Sequence, residues 1–123
     1  MTTRSHIPAT LDAARRMARA AIAFHDALDD QQRALACFPF EGDERFDWTY
    51  TPIPRHGLAL RDMSPPQRYA AFALFDAGLS ARGARTAQQI IAHEAILRET
   101  ERIENRTGDD IRDPEIYTFA LFG

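Results

Sequence analysis

The stretch Arg45 to Gly57, RFDWTYTPIPRHG, restricts what this chain can fold into more than any other. It connects helical patterns, yet it holds the only Trp, two Pro and an Arg-His pair followed by Gly. Phe46, Trp48 and Tyr50 alternate with Asp47, Thr49 and Thr51, which is the period of a half-buried strand. A short aromatic strand is therefore expected at 46–51. In the PIPRHG piece that follows, Pro52 and Pro54 stiffen the backbone, and Gly57 lets the chain turn where a side chain would clash.

Helices are expected on both sides of this connector. Residues 1–9 are polar, carry Pro8 and read as a flexible arm. Thr10 is a capping residue for a first helix in which Leu11, Ala14, Met17, Ala18, Ala21, Phe24 and Leu28 recur at spacings of three and four. His25 borders that apolar stripe as a hydrogen-bonded surface side chain. Asp29 opens a second, shorter helix with Gln32 as the reciprocal partner of a capping box, and Pro39 limits its end. Ser64, followed by Pro65, Pro66 and Gln67, repeats the same opening chemistry for a third helix ending at Gly78, with Tyr69, Phe72, Ala73 and Phe75 on its buried side. The openings LDDQQRALACF and MSPPQRYAAFALF share a Gln-Arg pair, which reads either as a weak duplication or as two helices using one capping device. Ser80 starts a fourth helix, with Ala87, Ile90, Ile91, Ile96 and Leu97 inward and a solvated Arg/Glu face from Arg98 to Glu104.

Asn105 to Asp110 is a turn, and after Pro114 the run IYTFALFG reads as a strand apolar on both faces. Only the 46–51 strand is available to pair with it, so the expected fold is α+β, mainly α: four helices, a short aromatic strand between helices two and three, and a C-terminal strand. Residues 10–123 are expected to be one segment of an incomplete domain, the N-terminal part of a larger bacterial protein. A missing C-terminal domain or a second subunit is the expected partner.

The chemistry is bounded mainly by what the chain lacks. All fifteen basic residues are Arg, so neither a Schiff-base Lys nor the phosphate-gripping Lys of a P-loop exists in this segment. A net charge of -3 gives no reason to expect a polyanion, and nucleic acid is disfavoured. The single Cys37, in the apolar run LACFPF, makes no internal disulfide and reads as an inert thiol. No run approaches the length of a membrane span and no signal-peptide core is present, so the expected location is cytoplasmic, with no membrane partner. His93-Glu94 begins a zinc-protease motif, but its fifth position is Leu97 and the second ligand is missing. No Ser lies in GxSxG, and dinucleotide glycine patterns are absent. No metal ligand set, cofactor or catalytic residue is assigned.

The remaining candidates are ligand-binding ones. Arg55, on a rigid loop, can grip a carboxylate or phosphate of a small molecule through two parallel hydrogen bonds; the alternative is an internal pair with an acid such as Glu94. Trp48 and Tyr50 would form an aromatic wall, although such rows are more often core. His56 can act as acid or base. Glu94 interrupts an apolar helical face and must reach water or a partner, Arg55 or Arg68 among them.

In their order and spacing, DERFDWTYTPIPRHGLAL, MSPPQR, LSARGARTAQQIIAHEAIL and DPEIYTFALFG resemble a bacterial family catalogued as a domain of unknown function, DUF3500, over about residues 28–123. Members of that family are considerably longer, and beyond the Phe-Gly matched by Phe122 and Gly123 they carry a Trp and a Gly-His-His run. The resemblance implies that the histidines of any metal or acid-base centre lie in that further segment, with Trp48, Tyr50, Arg55 and Glu94 as flanking groups. It implies no established activity.

Overall fold

The computed structural model describes residues 6–50, 53–104 and 113–123, the side chains of 6–10 excepted. Among them the elements run α1 (His6–Ala27), α2 (Asp30–Ala36), β1 (Cys37–Phe38), β2 (Leu58–Ala59), α3 (Pro65–Ala77), α4 (Ala81–Ile103), β3 (Thr118–Phe119) and β4 (Leu121–Phe122). Short 3-10 turns occupy Asp43–Phe46, Leu60–Asp62 and Pro114–Ile116. The expected class, α+β and mainly α with four helices, is the observed one. Thr51, Pro52, the first five residues and the turn expected from Asn105 to Asp110 lie outside the described residues.

Helix α1 starts at His6, ahead of Thr10, with Pro8 in its first turn, where a missing N–H costs no intrahelical bond. At its other end Arg33 Nε donates to the His25 carbonyl at 3.1 Å, so a side chain of α2 closes the last turn of α1. Both expected capping boxes form, at Asp29–Gln32 and Ser64–Gln67. They also meet: the Gln32 and Gln67 amides exchange two hydrogen bonds of 2.8 Å each. The related openings of α2 and α3 thus face one another across a shared polar joint.

The core collects Phe24 of α1, Leu28 just past its end, Ala36, Leu58, Leu60, Met63 and Ala71, with Phe72, Leu74, Tyr117, Phe119 and Leu121 packed against it. Full burial of a Phe or Leu side chain contributes about 1.5–3 kcal/mol. The partly buried face of α3 is Ala70, Phe72, Leu74 and Phe75, around the fully buried Ala71. Tyr69 and Ala73, expected inside, are exposed, Tyr69 at 81%. On α4 the inward line is Ala84, Ala87, Ile91 and Glu94, while Ile90, Ile96 and Leu97 face solvent, contrary to expectation. Apolar residues lie on several sides of α4, so spacing alone could not select the packed side; the Tyr117 contact described below does. No described helix is long and apolar enough to cross a membrane.

The strands required the larger corrections. No strand forms at Phe46 to Tyr50: Phe46 ends a 3-10 turn and Asp47 to Tyr50 join no sheet. Arg45 sets this turn, its guanidinium lying 4.2 Å and 4.3 Å from the Phe40 and Phe46 ring centres while Nε donates to the Phe40 carbonyl at 2.8 Å. The C-terminal run does not need a 46–51 partner. It divides at Ala120 into β3, antiparallel to β2 with Leu58 opposite Phe119, and β4, parallel to β1 with Phe38 opposite Phe122. Two open two-stranded ladders result, and residues 116–122 are half-buried rather than sealed.

Candidate functional site

The cleft that gathers the ionisable side chains of the connector is built from its two halves and the C-terminal run. Its walls are Glu44, Asp47, Ile53, Pro54, Arg55, His56, Thr118, Ala120 and Phe122, around a volume of about 200 Å³. Local structure explains the convergence. A 3-10 turn has three residues per turn, so side chains at i and i+3 lie above one another, and Glu44 and Asp47 come to the same side. From the other half of the loop, Gly57 delivers His56 and Arg55. Gly57 has φ 129°, and a Cβ there would lie 2.8 Å from the Phe119 carbonyl oxygen, so only glycine lets the loop settle against β3.

Within the cleft His56 Nδ1 lies 2.7 Å from Glu44 Oε1. The His56 side chain is 68% exposed and that of Glu44 27%, so the pair sits at the mouth with its carboxylate end inward. Asp47 completes the group: one ligand atom each from Glu44, Asp47 and His56 lies within 4.8 Å of the others. Arg55 Nη2 donates to the Thr49 carbonyl at 2.8 Å, which ties the guanidinium to its own loop. The walls opposite, Ile53, Pro54, Ala120 and Phe122, are apolar.

Of the five residues singled out from sequence, Arg55 and His56 share this cleft. Trp48 and Tyr50 do not line it; they stand outside at 79% and 87% exposure, their ring centres 6.4 Å apart. Glu94 is elsewhere, on the packed side of α4, where its Oε1 accepts from the Tyr117 hydroxyl at 3.0 Å. Arg68, the other partner considered for Glu94, makes a bidentate pair with Glu115 instead. That contact holds the Arg68 guanidinium pKa above its ordinary value, chiefly through the hydrogen bonds to Glu115.

A family model described as "Protein of unknown function (DUF3500)" matches residues 11–123. The chain belongs to the DUF3500 family. No curated protein and no solved structure matches it significantly. For this DUF3500 chain, the candidate grouping that sequence reasoning missed is Glu44 with Asp47. The strand expected at 46–51 takes in Asp47 and leaves Glu44 outside it, so that reading does not bring the two together. The available signal was the acidic start of a 3-10 turn followed by an acid three residues on.

Proposed function

We propose that this DUF3500 chain binds a small anionic molecule at the cleft bearing Arg55 and His56. The observation that carries this reading is the convergence of a loop-held guanidinium, an imidazole and apolar walls on one concavity. Arg55 presents a planar donor fork suited to a carboxylate or phosphate, and its bond to the Thr49 carbonyl lowers the cost of orienting it. His56 beside it can supply or accept a proton, so the same arrangement suits an enzyme or a binding protein.

The test is a thermal-shift and calorimetric series on the whole protein with inorganic phosphate and succinate. A ligand at 100 times its Kd stabilises by about 2.7 kcal/mol, a readily measured rise in melting temperature. Arg55→Ala is expected to keep the fold and abolish that rise. Ligand effects identical in the variant would overturn the assignment of Arg55.

A second reading, from another class, is an interaction module whose helices pack against a further domain or second subunit. It is favoured by the apolar side chains that α4 leaves in solvent, Ile90 at 58%, Ile96 at 58% and Ile103 at 70%. Loss of folding in Arg55→Ala, no response to any anion and self-association in sedimentation would together select it.

A further inference from the structure

We propose that Glu44, Asp47 and His56 form a binding site for a divalent first-row transition ion, with Zn2+ the best fit. The three side chains provide two carboxylate oxygens and an imidazole nitrogen, a donor set suited to borderline ions rather than to Mg2+ or Ca2+, which take oxygen ligands. Their ligand atoms already lie within 4.8 Å of one another. Tetrahedral Zn–N and Zn–O bonds of about 2.0–2.2 Å place the donors of one ion about 3.3–3.6 Å apart, so rotations of the exposed His56 and Asp47 that move their ligand atoms by about 1–1.5 Å close the set. The ion takes the place of the hydrogen between His56 Nδ1 and Glu44 Oε1, now 2.7 Å apart. A neutral His56 moves its single proton from Nδ1 to Nε2 as Nδ1 takes the ion, so no net proton is released. Three protein donors leave at least one coordination position facing the cleft.

Charge supplies an independent argument. With His56 neutral, the two carboxylates outweigh Arg55 and leave the cleft net negative beside the apolar walls of Ile53, Ala120 and Phe122. Low-dielectric walls strengthen that field, which attracts cations and repels the anion assigned to Arg55. A bound divalent ion reverses the sign. The inference therefore deepens the anion reading and rests on it for the ion's role, but the ion's binding can be measured without any anion.

The experiment is isothermal titration of the whole protein with ZnCl2, and with MgCl2 and CaCl2 as comparators, in a non-coordinating buffer. One Zn2+ per chain is expected, with Mg2+ and Ca2+ at least about 100-fold weaker. Glu44→Gln, Asp47→Asn and His56→Ala should each weaken Zn2+ at least about tenfold, with helicity unchanged by circular dichroism. His25→Ala, which disturbs the exposed His25–Asp26 pair on α1, should leave the affinity as it is. With Mn2+, nuclear magnetic resonance line broadening should centre on Thr118, Ala120 and Phe122. No saturable Zn2+ binding, wild-type affinity in His56→Ala, or Mg2+ binding as tight as Zn2+ would each overturn the site. Phosphate or succinate binding that persists without metal would then leave the Arg55 reading standing, whereas Zn2+ binding with no anion response would retain the metal site and remove the anion.

Discussion

Gln32 and Gln67 illustrate how a residue can serve two levels of structure at once. The Gln32 side-chain Oε1 accepts from the Asp29 backbone N–H at 2.9 Å, while Nε2 donates to the Asp62 backbone carbonyl at 3.0 Å and to Gln67. Gln67 mirrors this, accepting from the Ser64 N–H at 2.9 Å and donating to the Ala27 carbonyl at 2.9 Å. Each box was legible in the sequence because a capping residue and a Gln three positions later act within one helix turn. Their mutual pairing was not, since the contact spans 35 positions and depends on how α2 and α3 approach. Removing one amide leaves polar groups of the other without their partner. Gln32→Ala and Gln67→Ala are each expected to cost about 1–2 kcal/mol in urea denaturation, and the double variant about 1 kcal/mol less than their sum. Strictly additive losses would mean that the two boxes act separately.

At the scale of the element, α4 shows what local pattern leaves undecided. Its exposed C-terminal half carries the Glu99–Arg102 pair, with Arg102 Nη2 at 2.6 Å from Glu99 Oε1 and Nε at 3.0 Å from Oε2. The Arg102 hydrogen bonds and charge, aided by Arg98, pull the Glu99 carboxyl below its ordinary value. A depressed carboxylate pKa contributes stability that is fully present above the unfolded value and lost as pH falls through the folded one. Protection of the α4 amides around Glu99 from hydrogen exchange is therefore expected to decline as pH drops below the ordinary glutamate range, after correction for intrinsic exchange rates. Glu99→Gln should remove that component, and added salt should shrink it, because both side chains are solvated. A profile unchanged by Glu99→Gln would show that the pair contributes nothing to the helix. The side of α4 that packs is set instead by Tyr117, whose hydroxyl engages Glu94 from a segment 23 positions away.

For the whole molecule, the C-terminal run is the tie between its parts. Phe119 sits with its ring centre 5.9 Å from Phe24 of α1, 5.9 Å from Phe72 and 6.4 Å from Phe75 of α3, while its backbone joins β2. One residue thus links two helices to the ladder that borders the cleft. Phe119→Ala is expected to cost about 3 kcal/mol, read as a lower urea midpoint, and to loosen the Gly57 loop that rests on its carbonyl. A loss below about 1 kcal/mol would show that the aromatic cluster is not what joins these elements.

The sequence by itself determined the four helices and both capping boxes. These follow from interactions within a few residues, where spacing and side-chain type decide the outcome. Tertiary structure alone decided that the terminal run divides between two strands, that Trp48 and Tyr50 stand outside the cleft, and that Glu94 meets Tyr117. It also decided that Glu44, Asp47 and His56 converge. Each of those outcomes depends on which distant segment supplies the opposing surface. Strand partners and cleft walls are non-local, so a pattern of apolar and polar positions can show that a segment needs a neighbour without naming the one it meets.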